Sequence, residues 1–350
     1  MMADNNRIHQ LDYLRGLGAF VVMIYHYLFW NFETIIGGQH LSRVAIYGVS
    51  SFYILSGLTL YHIYFEKLEI NLADLTLFFK KRVLRIFPLL WVATLLTIVL
   101  FHQNPSWDIL VLNLTGLYGL FNWNNYIATG AWSIGNELVF YLFFPLFVVC
   151  TKKSSSLWLL MGAGTFLIFL YYTFILLDPA IKLSNQWKTY VNPLNQLFYF
   201  FGGFSIAHLL KLRSFSKNLT LPLMVVSALI FVLLPAPIDE IKQVSGTTRI
   251  ILTMCCFAIC FSLYNTNWKL PNIIHRPLCA MGETSFSIYL LHPIVLFLVG
   301  RFSNHVFELS MYWNIIISIL ATLLTSHFVF KYFESYFIGL GRNKRKSPQL

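Results

Sequence analysis

Charge is what this chain has least of. Asp, Glu, Lys and Arg together make up 11% of its 350 residues, where a water-soluble domain carries about 25%. That leaves too little polar surface to cover a soluble body. A secreted enzyme, a soluble dinucleotide-binding enzyme and a disordered scaffold are therefore excluded. Acidic residues are scarcer still, 14 against 25 basic ones. Cysteine is sparse too: Cys150, Cys255, Cys256, Cys260 and Cys279 lie in or beside apolar blocks. None shows the spacing with histidine that a zinc site displays, so they read as buried reduced thiols and no metal is expected. The sequence also lacks a Walker-type phosphate loop, H-E-x-x-H, G-x-S-x-G and G-x-G-x-x-G. An ATP-driven pump and a membrane zinc protease lose support accordingly.

What is present is apolar. Hydrophobic residues make up 57%, Phe alone supplies 33, and mean hydropathy is +0.65. The apolar residues fall in blocks of about 16 to 22, the length that crosses a hydrocarbon core of roughly 30 Å at 1.5 Å per residue. The expected fold is all-α, a polytopic membrane bundle of about ten transmembrane helices. The spans fall at roughly 12–30, 45–65, 84–102, 135–151, 157–177, 194–212, 219–235, 248–264, 284–302 and 311–331. Residues 108–121, interrupted by Asn and Gly, suit a re-entrant or interfacial piece. Residues 72–87, with Lys80, Lys81, Arg82 and Arg85, suit a helix entering from the membrane surface.

Placing the N-terminus inside leaves only Arg43, Lys182, Lys188, Lys242, Arg249 and Arg301 outside, out of 25 basic residues. That bias predicts both termini in the cytoplasm and a multi-pass protein of the cell (inner or plasma) membrane. The first block carries Arg15 and His26 and lacks a small-residue cleavage site, so a cleaved signal peptide is not expected. One integral-membrane domain is expected over 1–350, its core at about 8–340. The basic tail 341–350 is expected to adhere to a membrane surface rather than to nucleic acid.

Ionisable residues inside spans are functional candidates, because the bilayer penalises them by several kcal/mol on insertion scales of about 2.5–3.5. In LDYLRGLGAFVVMIYHYLFW, Arg15 and His26 are eleven residues apart, about three turns plus roughly 20°, so they share one face. Asp12 lies on the same side, about 40° from His26. Arg15 alone is compatible with a snorkelling anchor and His26 alone with a packing residue; three aligned polar groups point to a site. Arg82 and Arg85, three apart at the inner mouth of the third span, suit phosphate groups, although positive-inside bias also places them there. Glu137 opens the fourth span among Trp132, Phe140 and Tyr141. It is placed to address a hydroxyl-bearing ligand or simply to favour a helix start. His292, before Pro293 in the ninth span, is a pocket residue or a core histidine.

This string of motifs resembles the membrane acyltransferase-3 family from about residue 8 to residue 340. The L-D-x-L-R-G block, with a histidine eleven residues after the arginine, matches Leu11, Asp12, Leu14, Arg15, Gly16 and His26. The G-V-x-x-F-[FY]-x-L-S-G block matches Gly48, Val49, Phe52, Tyr53, Leu55, Ser56 and Gly57. R-x-x-R-[IL]-x-P matches Arg82, Arg85, Ile86 and Pro88; W-S-[LI]-x-x-E-x-x-[FY]-Y matches Trp132, Ser133, Ile134, Glu137, Phe140 and Tyr141. The late S-[YF]-x-[IL]-Y-L-x-H matches Ser285, Phe286, Ile288, Tyr289, Leu290 and His292. Five pieces in the right order are specific where each alone is weak. One departure is KYFESYF, where Ser335 follows Glu334 in place of the family's usual proline. Many relatives also carry an esterase-like domain, for which this chain has no room, so it is expected to be a stand-alone enzyme.

The resemblance implies an acyltransferase acting on hydroxyl groups, most often an O-acetyltransferase. Its donor substrate is cytoplasmic acyl-coenzyme A, typically acetyl-coenzyme A, and its acceptor an extracytoplasmic carbohydrate or glycolipid such as lipopolysaccharide, capsule or exopolysaccharide, peptidoglycan-linked sugar or a small lipid. Arg15, Arg82 and Arg85 would hold the donor. His26 would act as general base, since a neutral imidazole suits proton removal from a hydroxyl near pH 7, or would relay the acyl group. Glu137 would address the acceptor from the outer side and His292 complete the catalytic set. Asp12, Ser56, Trp132, Ser133, Tyr141 and Tyr289 would line the pocket. The partners expected are acyl-coenzyme A, the acceptor and the lipid bilayer, with no nucleic acid. A transporter or flippase for a polar lipid or glycan is the competing reading, with the buried Arg, His and Glu as its substrate path; no inverted repeat is visible.

Overall fold

The computed structural model describes residues 8–32, 38–213, 215–266, 268, 270–306 and 309–341, with the backbone alone at 304–306. Arg7, Lys269 and the basic tail at 342–350 lie outside the described residues. All regular structure within them is helical.

Ten helices stand where the ten apolar blocks predict them: α1 (His9–Asn31), α2 (Gly38–Tyr64), α3 (Leu72–Leu100), α4 (Ala131–Lys153), α5 (Ser155–Tyr171), α6 (Pro193–Leu212), α7 (Lys217–Leu233), α8 (Gly246–Asn265), α9 (Ser285–Val306) and α10 (Met311–Phe328). Among the described residues seven helical runs are long and apolar enough to cross a membrane, α5 counting with the π-helical turn that extends it to Leu176 and α10 with the π-helical turn and short α-helix that extend it to Leu340. The other three helices fall short for visible reasons. Helix α7 has 17 residues. Helices α1 and α6 have the length but spend part of it on polar residues, among them Asp12, Arg15 and His26 in α1 and Asn195, Gln196 and His208 in α6. The chain is a multi-pass helical membrane protein.

Two segments differ from the sequence expectation in detail. The surface stretch 72–87 and the third span are one continuous helix of 29 residues, α3, running through Pro88. It starts at Asn71, whose side chain accepts the Asp74 backbone N–H at 2.8 Å, satisfying one of the orphan donors of the first turn. Residues 107–121 form two short helices, Trp107–Thr115 and Tyr118–Phe121, hinged at Gly116 with φ +73°. Nine and four residues cannot span roughly 30 Å, so this piece does not cross on its own.

Helix α1 packs against α2, α9, α10 and an amphipathic helix at Asn272–Glu283. Protein on several sides is what makes its polar residues tolerable in a membrane. The tightest crossing is between α2 and α6. A Cβ on Gly57 would lie 2.0 Å from the Phe200 carbonyl oxygen, and one on Gly203 would lie 1.9 Å from that of Ile54. Lipid tails are as apolar as leucine, so such helices associate through close packing, which small residues permit. Phe140, Phe144, Phe147, Phe200 and Phe204 fill the space beside that crossing with ring centroids 5.2–6.5 Å apart.

Candidate active site

The centre of the site is a histidine pair. His26, on the fifth turn of α1, places Nδ1 2.9 Å from Nε2 of His292 on α9. The two rings are nearly parallel, 5.1 Å apart at 5°, and Trp30, one turn after His26, stacks on it at 4.7 Å and 4° and lies 6.0 Å from His292. His292 is buried, 1% exposed, and its Nδ1 lies 3.1 Å from the Ile288 carbonyl oxygen. A carbonyl only accepts, so Nδ1 of His292 carries the hydrogen and its Nε2 accepts. The hydrogen in the pair therefore sits on Nδ1 of His26, leaving Nε2 of His26 with its lone pair. Tyr27 secures the arrangement: its hydroxyl donates to the His292 carbonyl at 2.9 Å and pairs with Thr322 at 2.6 Å.

Two cavities approach this pair, and Val49 and Tyr289 line both. The first, of about 340 Å³, is bordered by Arg15, Arg82, Arg85, Ser56, Ser133, Glu137 and Tyr141. Three guanidinium groups against one carboxylate make it cationic. Arg82 donates to the Tyr64 hydroxyl at 2.9 Å and lies over the Tyr64, Phe78 and Tyr141 rings at 5.3–5.8 Å. Arg15 donates to Thr59 Oγ1 at 2.5 Å and sits 3.6 Å from Asp12, its partner one turn earlier. Glu137 accepts from the Ser56 hydroxyl at 2.7 Å and from the Tyr141 hydroxyl. A large cationic cavity with a polar, aromatic-braced wall suits an extended anionic ligand.

The second cavity, of about 260 Å³, is walled by aromatic rings, with His26, Trp30, Trp132 and Trp187 among them, and carries one carboxylate, Glu240. Glu240 accepts from the Tyr25 hydroxyl at 2.8 Å. Between the two cavities, the Ser133 hydroxyl donates to the Tyr289 hydroxyl at 2.8 Å, which donates to the Gly130 carbonyl at 3.0 Å. Gly130 holds φ +80°, and a Cβ there would lie 3.2 Å from the Tyr289 hydroxyl oxygen and 3.3 Å from its ring. Glycine thus both adopts this turn and makes room for the Tyr289 side chain.

An acyltransferase-domain family profile matches residues 8–330, nearly the whole chain and every residue of both cavities. The chain belongs to the acyltransferase-3 family. It is a multi-pass membrane acyltransferase. No curated protein and no solved structure matches it.

Within this acyltransferase the motif residues divide in a way their order along the chain does not announce. Arg15, Arg82, Arg85, Ser56, Ser133 and Tyr141 border one cavity, His26 and Trp132 the other, and Tyr289 both. His292 stands behind His26, and Asp12 acts on Arg15 from outside either cavity lining. Glu137 belongs with the first group. Placed at the start of the fourth span, it lines the cationic cavity, its side chain turned toward Ser56 of α2. Glu334, despite lacking its following proline, is buried at 2% exposure and accepts from Ser287, a turn before the histidine-bearing segment of α9. Trp30, Tyr25, Trp187 and Glu240 escape sequence reasoning. Trp30 and Tyr25 have local signals, the one at i, i+4 from His26 and the other beside it on α1, whereas Trp187 and Glu240 come from distant segments and have none.

Proposed function

We propose that this acyltransferase moves an acyl group, acetyl in the first instance, from acyl-coenzyme A to a hydroxyl of a carbohydrate or glycolipid on the far side of the cell membrane, with both chain termini cytoplasmic. The observation that carries the reading is the meeting of two chemically different cavities at Val49 and Tyr289, with His26 on the wall of the second. Arg15, Arg82 and Arg85 match the phosphates of the coenzyme. The aromatic walls of the second cavity match the apolar faces of sugar rings, and Glu240 a sugar hydroxyl.

In this reading the acceptor hydroxyl enters the aromatic cavity and gives its proton to Nε2 of His26. The oxygen attacks the thioester carbonyl brought along the cationic cavity by the pantetheine arm. The tetrahedral adduct then expels the coenzyme thiolate, which takes the proton back from His26. His292 holds the hydrogen of His26 on Nδ1 throughout and stabilises the imidazolium that forms. Glu137 positions Ser56 and Tyr141, and through Tyr141 the ring beneath Arg82.

The test is transfer of labelled acetyl from acetyl-coenzyme A to extracted surface glycans by membranes containing the wild type or His26→Ala. Label reaching glycan with the wild type alone supports the reading. Transfer that survives His26→Ala discards the mechanism. Absence of transfer together with absence of coenzyme A binding in folded protein favours a transporter. Label trapped on the enzyme without acceptor would replace direct transfer by an acyl-enzyme relay.

A further inference from the structure

Away from both cavities, at the start of α1, three metal-ligating side chains converge. His9 comes from the first turn of α1; His275 and Cys279 come from the amphipathic helix Asn272–Glu283. Four residues apart on a helix, His275 and Cys279 are about 40° from one another and share a face. Their donor atoms and that of His9 lie within 4.8 Å of one another. Cys279 Sγ is 3.6 Å from His9 Nδ1, and 3.6 and 3.9 Å from Nδ1 and Nε2 of His275. A tetrahedral centre with a metal–sulfur bond of about 2.3 Å and metal–nitrogen bonds of about 2.05 Å sets sulfur and nitrogen about 3.5 Å apart. The cluster is thus within a few tenths of an ångström of that edge without any change of backbone.

The surroundings are also those of a metal site. His275 Nδ1 lies 2.5 Å from the Tyr13 hydroxyl. With Nδ1–H donated to Tyr13, Nε2 keeps the lone pair that a metal would take, the outer-shell arrangement that orients a ligating imidazole. The scaffold does not depend on the cluster. Gln10 donates to the Trp268 carbonyl, and Gly16 packs so tightly on Gly282 that a Cβ would lie 2.8 Å from its backbone nitrogen.

We infer that His9, His275 and Cys279 bind a divalent transition metal, zinc in particular, with Tyr13 orienting His275. Two imidazoles and a thiolate suit a borderline-soft ion and disfavour magnesium or calcium. Three protein ligands leave a fourth position for water. The bound ion clamps the start of α1 to the helix that leads into α9, and so joins the two segments that carry His26 and His292. The inference stands independently of the acyl donor and acceptor.

The experiment uses the full chain in detergent micelles, loaded with zinc sulfate, freed of excess metal by desalting and assayed for metal content. About one zinc per chain is expected in the wild type and in Cys150→Ser, and background in Cys279→Ser and His9→Ala. Tyr13→Phe should weaken zinc binding by about 10- to 100-fold. Cobalt(II) added to the wild type should give a thiolate-to-metal charge-transfer band, so the result does not depend on the variants folding. Chelation should lower the melting temperature of the wild type and leave that of Cys279→Ser unmoved. Background zinc in the loaded wild type, absence of the cobalt–thiolate band, or wild-type zinc content in Cys279→Ser each overturns the inference.

Discussion

The histidine pair makes a quantitative demand on the kinetics. His26→Ala removes the proton acceptor, and general-base catalysis contributes about 10²- to 10⁴-fold, so kcat should fall by that factor. His292→Ala leaves the base in place but takes away the atom 2.9 Å from its Nδ1. The Nδ1–H of His26 is then an unsatisfied donor in a largely apolar setting between Trp30 and α9, a loss of about 1–3 kcal/mol. At 1.4 kcal/mol per tenfold that is roughly 5- to 150-fold in kcat, with little change in KM for either substrate, because His292 lines neither cavity. His292→Gln, which can offer an oxygen to the same N–H, should recover part of the loss. The double variant decides the matter. If His292 works only through His26, His26→Ala with His292→Ala should be no slower than His26→Ala alone. The assay is single-turnover acyl transfer by purified, monodisperse protein, titrated in each substrate. Multiplicative losses in the double variant, or a His292→Ala defect confined to KM, would refute the reasoning.

Two further outcomes follow from the geometry. Arg85→Ala should raise KM for acyl-coenzyme A by about 10- to 150-fold, the 1.5–3 kcal/mol of a hydrogen bond to a charged group, and leave acceptor KM alone; titration of each substrate checks this. Gly203→Ala forces a methyl to within 1.9 Å of the Ile54 carbonyl oxygen, so it should cost at least about 1–3 kcal/mol and lower the melting temperature in detergent, whereas Gly164→Ala, with open space around it, should not.

In the proposed function the two-cavity arrangement would let one enzyme join substrates held on opposite sides of a bilayer. Neither cavity needs to span the membrane. The cationic one, about 340 Å³, needs only to deliver a thioester past Tyr289, and the aromatic one, about 260 Å³, to hold a hydroxyl against His26. The Ser133–Tyr289–Gly130 hydrogen-bond chain sits at that junction, where substrates can meet while the surrounding bundle excludes bulk water.

Much of this was written along the chain. Apolar block length and scarce charge determined an all-helical membrane bundle and placed its ten long helices, since a membrane-crossing segment must satisfy its backbone within itself and needs about 20 apolar residues to do so. Spacing within one helix also sufficed to set Asp12, Arg15 and His26 on a common face, because 3.6 residues per turn is a local property. The five ordered motifs named the family. What the sequence by itself left undecided depends on side chains meeting across helices. His26 and His292 are 266 residues apart and Tyr25 and Glu240 are 215 apart. Glu137 turned to Ser56 of α2, and His9 met His275 and Cys279 only when the amphipathic helix docked on α1 through Gly16 and Gly282. No periodicity encodes such meetings. They follow from which ridges and glycines let two helices approach, and that choice is made by packing the whole bundle at once.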